Sequence, residues 1–213
     1  GVSACDPSLF IEQAIKGVMV YDINAHGIVN YQPKSWYDDL KDKGALQDYH
    51  AFGRHDKNEF YFLNMYLRVK RALDFLMSLP EWDGKVLVTM GGSQGCAQAI
   101  AGAYLEDKVT AIVGKIPAYG DLTGFLINRD VNFNDWLKME PRGRVPKNVL
   151  SVAPYFDNVN FLRNYKREAV FCFGLLDQGC VPTTNYVPVS ECPANATVIL
   201  QSDMYHSVCK EAD

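Results

Sequence analysis

Val86-Leu-Val-Thr-Met-Gly-Gly-Ser-Gln-Gly95, running on into Cys96-Ala-Gln-Ala-Ile-Ala-Gly-Ala-Tyr104, decides how the rest of the chain is read. An apolar β-type run passes through a glycine-flanked serine into an alanine-rich helix. Gly91-Gly-Ser-Gln-Gly95 fits G-x-S-x-G, a strand-to-helix turn that lifts a serine hydroxyl out of the backbone. A turn this tight strains the serine, and small residues two positions either side let strand and helix pass closely. The helix that follows also aims its free N–H groups at the place where negative charge would develop. Five residues recur by chance, so the strand before and the helix after carry the weight. A serine used this way needs an acid and then a histidine further along the chain.

The 213 residues suit one domain with a substantial core. An apolar share of 48% and a charged share of 22% describe a soluble globular chain. The net charge of −4, with no basic stripe, argues against nucleic acid. No apolar run is long enough to span a membrane. Cys5, Cys96, Cys172, Cys180, Cys192 and Cys209 form no C-x-x-C pair, which argues against a zinc site, and no metal is expected. Cys96 and Cys172 read as plain core thiols, whereas Cys180, Cys192 and Cys209 fall in loops open to a disulfide. That pattern fits an exported or a cytoplasmic protein.

In chain order, residues 8–15 read as a short helix with Ser8 as N-cap. Gly17-Val-Met-Val-Tyr-Asp-Ile-Asn24 reads as a strand whose near-continuous apolar character suits a parallel sheet. Residues 25–58 have no clear period and read as a surface excursion. Residues 59–79 have the apolar spacing of a helix, stopped by Pro80. Strands follow at 86–92, 109–116, 168–177 and 196–201, and residues 118–167 read as an irregular lid or pocket insert. Strands alternating with helices predict an α/β fold with a mainly parallel sheet covered on both faces.

In such sheets, functional groups gather beyond the carboxyl ends of the strands. Ser93, Asp177 and His206 each lie just past one, in the order Ser…Asp…His of the α/β-hydrolases. The reading makes His206 the base for Ser93, Asp177 its orienting acid, and the Gln94 backbone N–H one half of an oxyanion hole. Asp203 competes for the acid role. His26, His50 and His55 precede the serine and fit no role as base. His26-Gly27 is either an oxyanion loop or the turn after the next strand, and the helix at 8–15 favours the turn.

Several segments resemble the acetyl xylan esterase and cephalosporin C deacetylase group of carbohydrate esterase family seven. Phe60-Tyr-Phe62 through Glu81 is similar to that family's aromatic-led helix, and Gly91–Gly95 to its elbow with Gln after Ser. Tyr155-Phe-Asp-Asn-Val-Asn160 resembles a segment read as structural. Gly174-Leu-Leu-Asp-Gln-Gly-Cys-Val-Pro182 resembles its acid loop. Two positions depart from the pattern: Tyr205 stands before His206, and Cys96 follows the elbow, where glycine is usual. The resemblance implies a cofactor-free serine esterase that removes acetyl groups from acetylated saccharides, exported to reach them. The rivals are a peptidase or other acyl hydrolase on the same scaffold, and a non-catalytic carbohydrate-binding or interaction protein.

The resemblance also sets an expectation for the start of the chain. It makes Gly17–Asn24 the fourth strand of an α/β-hydrolase and Gly1–Ala4 the tail of its oxyanion loop. The third strand, which lies between the fourth and the nucleophile strand, then has no counterpart. The expectation is a fragment, a trimmed chain or an unusual repair of that gap, lacking the N-terminal strands. The second oxyanion donor would lie at or before Gly1, and a second copy or the preceding segment of the same polypeptide would be the natural partner.

Overall fold

The computed structural model describes residues 2–131, 145–193 and 196–207. Four strands, β1 (Val88–Gly92), β2 (Ala111–Lys115), β3 (Glu168–Gly174) and β4 (Ala196–Gln201), form one parallel sheet in the order β1-β2-β3-β4. In register, Gly92 faces Lys115, Lys115 faces Cys172, and Gly174 faces Gln201. The carboxyl ends of the strands therefore form a single rim. Parallel neighbours require crossover connections. Here α4 (Gln94–Leu105) joins β1 to β2, α5 (Lys147–Val152) and α6 (Asn158–Leu162) lie between β2 and β3, and α7 (Pro182–Ser190) lies between β3 and β4.

The long helix of the sequence reading is α3, Tyr61–Ser78. Its buried residues Phe62, Met65, Tyr66, Val69 and Leu73 recur at helical spacing and form one apolar stripe. Lys70 and Asp74 pair one turn apart on its outer side. The stripe packs on α4, which packs in turn on β1, β2 and α6. Eight consecutive residues of α4, Cys96 to Ala103, are buried, and most are Ala or Gly. Small side chains let the helix lie close to the sheet. Phe60, Phe62, Phe171 and Phe173 fill the space around it, all fully buried. Cutting one such ring back to Ala typically costs roughly 3–5 kcal/mol.

The beginning of the chain departs from the sequence reading. Gly17–Asn24 is not a strand, although its composition suits one. A strand exists only by pairing, and β1 is hydrogen-bonded to β2 alone among the described residues. A groove of about 580 Å³ separates residues 17–22 from Val86, Val88 and Met90. Val18, Val20 and Tyr21 on one bank and Val88 and Met90 on the other are exposed. Asp6, not Ser8, caps the first turn: its carboxylate accepts the Ser8 N–H at 3.0 Å, and a 3-10 turn (Pro7–Phe10) leads into α1 (Ile11–Ile15). The 25–58 excursion contains α2 (Lys34–Asp42) and a 3-10 turn at Tyr49–Ala51.

Within 118–167, residues 132–144 lie outside the described residues. The remainder is more regular and more buried than expected. Val149, Val152, Ala153, Phe156, Phe161 and Leu162 belong to the main core. Asp157 ties this part to the loop after β2. It is buried and accepts N–H groups from Asp121 (2.9 Å), Leu122 (2.7 Å) and Val159 (2.9 Å). Asn158 adds a bond to the Ala118 carbonyl. Both fit the structural reading of the 155–160 segment. Cys172 is disulfide-bonded, which corrects its reading as a plain thiol; Cys96 and Cys180 are free thiols, and Cys209 lies outside the described residues. No described helix is long and apolar enough to cross a membrane.

Candidate active site

Ser93 sits between the end of β1 and the first turn of α4 with φ 54° and ψ −122°. A non-glycine residue in that region costs on the order of 1–3 kcal/mol and marks a turn with a purpose. The turn closes because residue 91 is glycine. A Cβ there would lie 2.3 Å from the Gly95 carbonyl group, whereas one at Gly95 would meet open space. The closeness the motif provides therefore comes from its first glycine. The Ser93 N–H donates to the Lys115 carbonyl at 2.9 Å, fixing the elbow to the end of β2. Gln94 is the first residue of α4, and N–H groups in a first helical turn have no acceptor within the helix.

Asp177 follows β3 and is buried, its side chain 0% exposed against 42% for His206. His206 Nδ1 lies 3.0 and 2.9 Å from the two Asp177 oxygens. Asp177 Oδ1 also accepts the N–H groups of Gly179 (2.7 Å) and Cys180 (2.8 Å), which shapes the acid loop around it. The loop bearing His206 crosses the end of β3 at Gly174, where a Cβ would stand 2.0 Å from the Met204 carbonyl oxygen. Only a glycine admits that crossing. Asp203 is exposed, and the acid paired with His206 is Asp177.

Cys180 joins the two halves. Its sulfur lies 3.8 Å from the Ser93 hydroxyl oxygen and within 4.8 Å of ligand atoms of both Asp177 and His206. Ser93, Asp177 and His206 thus meet at one corner of the rim. No direct hydrogen bond links Ser93 to His206, a contact that in hydrolases often tightens only around substrate. Asp177, Cys180 and His206 also have the residue types of a metal set. The chemistry fits one poorly. Burial, with the Asp177 carboxylate, pushes the thiol up to about 12, and Nδ1 already faces a carboxylate.

A second group of side chains surrounds Gln94. His26, Tyr49, Tyr61 and Tyr119 converge on its carboxamide or on one another. His26 lies in a turn, as the helix before it implied, with the Gly27 N–H donating to the Asn24 carbonyl. The sequence reading gave His26 no role as base and favoured a turn over an oxyanion loop for it, and it missed Tyr49 and Tyr119. No local pattern marks them, because they come from a 3-10 turn and a loop far apart in the chain.

The family model for acetyl xylan esterase (AXE1) matches residues 6–210. The chain belongs to the acetyl xylan esterase family. An acetyl esterase of Xylanibacter ruminicola is 33% identical over 178 residues, covering 82% of this chain and 39% of that protein. An acetyl xylan esterase from Paenibacillus sp. superposes with a TM-score of 0.67 at 26% identity, covering 75% of this chain and 52% of that one. Acetyl xylan esterase 1 from Thermoanaerobacterium sp. superposes with a TM-score of 0.74 at 19% identity, covering 98% and 67%. The acetyl xylan esterase family chain described here thus has the α/β-hydrolase fold at partial length. It spans about two-fifths of the Xylanibacter relative and about half of the Paenibacillus chain.

Proposed function

We propose that the protein is a serine esterase that removes acetyl groups from acetylated saccharides through an acetyl-Ser93 intermediate. The observation that carries this reading is a buried carboxylate holding the Nδ1 edge of His206 beside a serine on a strained strand-to-helix turn. Membership of the acetyl xylan esterase family supports it.

The chemistry follows from the groups present. The Ser93 oxygen attacks the acetyl carbonyl carbon while Nε2 of His206 takes the hydroxyl proton. Asp177, hydrogen-bonded to Nδ1–H, holds the tautomer that leaves Nε2 free to accept and stabilises the imidazolium that forms. The carbonyl oxygen becomes an oxyanion facing the Gln94 N–H, a donor worth roughly 3–4 kcal/mol of barrier. As the tetrahedral adduct collapses, the C–O bond to the sugar breaks and His206 returns its proton to the leaving hydroxyl. Water then repeats the sequence on the acyl-serine and releases acetate. No step calls on a cofactor.

Asp130, Leu175, Gln178, Thr183 and Tyr205 line a cleft of about 610 Å³ that reaches Asp177. Thr183 Oγ1 donates to the Asp130 carbonyl at 2.5 Å, which places the end of the 118–131 stretch on this cleft and supports the pocket-wall reading of the insert. The disulfide at Cys172 suits an oxidising compartment and hence an exported enzyme.

Hydrolysis of p-nitrophenyl acetate and acetate release from acetylated xylan test the reading, with peptide p-nitroanilides as the contrast. Ser93→Ala is expected to lower ester turnover at least about 10⁴-fold. Ester hydrolysis unaffected by that change removes Ser93 from the mechanism. Preferred cleavage of the anilides would make the protein a peptidase, and binding of xylan without hydrolysis would make it a non-catalytic module.

A further inference from the structure

The Gln94 carboxamide is held at both ends. Its oxygen accepts the Tyr49 hydroxyl at 2.5 Å and the Tyr119 hydroxyl at 3.4 Å. Its nitrogen lies 3.3 Å from His26 Nε2 and 3.4 Å from the Met65 sulfur. Behind this, His26 Nδ1 lies 2.9 Å from the Tyr61 hydroxyl, and the Tyr49 ring meets the His26 ring edge-on at 4.7 Å. His26, Met65 and Tyr119 are buried, His26 at 7% exposure.

The directions of these bonds determine each other. Two hydroxyls donate to the oxygen end of Gln94, so its NH₂ end faces His26, and His26 Nε2 must accept. The proton of a neutral His26 then sits on Nδ1 and points at the Tyr61 oxygen. A doubly protonated His26 would set an N–H against the carboxamide N–H₂ and break the set. The turn that carries His26 is itself fixed, since the Asn24 carboxamide oxygen accepts the His26 N–H at 3.0 Å and the Ile28 N–H at 3.3 Å.

We propose that His26 and Tyr49, with Tyr61 and Tyr119, are positioning residues that aim the Gln94 backbone N–H at the oxyanion. This rests on the esterase reading above. Gln94 opens the first turn of α4 directly after the strained Ser93, and its N–H has no acceptor within the helix. A carboxamide anchored at both ends, by side chains from four separate parts of the chain, adds a constraint at this residue. A donor fixed before the charge develops costs no reorganisation at the moment of reaction. The cage therefore acts on the transition state and leaves the ground state nearly untouched.

The test compares Tyr49→Phe, His26→Ala and His26→Gln with the unaltered protein. The readouts are kcat and KM on p-nitrophenyl acetate, the inhibition constant of a phenylboronic acid, whose serine adduct is tetrahedral, and the melting temperature. Tyr49→Phe is expected to lower kcat roughly 10-fold with KM changed less than about twofold, and to weaken boronate binding by a similar factor. His26→Ala should lose about 10- to 100-fold in the same pattern. His26→Gln, which offers an acceptor near the former Nε2, should recover most of that loss. Unchanged kcat in all three variants overturns the proposal. So does a loss that tracks melting temperature with boronate affinity intact, because that describes packing alone. If the unaltered protein shows no Ser93-dependent hydrolysis, the esterase reading fails and the positioning role falls with it. If it hydrolyses the ester and the variants equal it, only the positioning role fails.

Discussion

His206 and His26 approach the serine turn from opposite ends of the chain and sit in opposite surroundings. His206 has its side chain 42% exposed and its Nδ1 against both oxygens of a fully buried carboxylate. His26 is buried against neutral partners, a tyrosine hydroxyl and a carboxamide. Burial, with Arg68 and His50 nearby, holds His26 well below the usual histidine range, at about 4. The first environment sets an imidazole against a carboxylate, and the second encloses one that stays neutral. The neighbour's charge, more than the residue type, separates a candidate base from a fixed hydrogen-bond partner.

The sharpest way to break this contrast is at Asp177. Asp177→Asn keeps an oxygen for the Gly179 and Cys180 N–H groups but offers His206 no carboxylate. Turnover of p-nitrophenyl acetate should fall about 10³- to 10⁴-fold with little change in KM. A fall of less than tenfold would mean that the pair is not part of the chemistry. The cage variants around His26 come next, at one to two orders of magnitude.

The smallest effect concerns protons and stability. In the folded chain His26 protonates at about 4, against about 6.5 for an unperturbed histidine. The unfolded state therefore binds more protons between those values. The contribution is complete above pH 6.5 and is lost as pH falls towards 4. Burial raises Asp157 to about 6, which gives a slope of the opposite sign in an overlapping window. The quantity to measure is thus the difference between the unaltered protein and His26→Gln, in which Asp157 cancels. Urea denaturation at pH 7 and pH 4.5 should show the unaltered protein losing on the order of 1–2 kcal/mol more than the variant. Equal losses would mean that His26 is not held neutral.

The serine turn, the pairing of Asp177 with His206 and the strands that carry them were legible in the sequence. Each depends on short-range pattern: apolar runs, glycines at a tight crossing, and chain order. The reading of Gly17–Asn24 failed because apolar composition permits a strand and only a neighbour makes one. Across the groove from β1, that segment has none among the described residues. The cage around Gln94 was illegible for a related reason. Tyr49 and Tyr119 lie 45 and 25 residues from the glutamine they hold, and only the folded core brings them together. Cys172 looked inert from its apolar surroundings, yet it carries a disulfide.

Reaction with a fluorophosphonate tests most directly whether Ser93 is an activated nucleophile, since phosphonylation requires a serine assisted by a base. Mass spectrometry of the intact and digested protein should show one label per chain, on Ser93, with labelling slowed at least about 10³-fold in His206→Ala. No label, a label on another residue, or a rate indifferent to His206 would contradict the account.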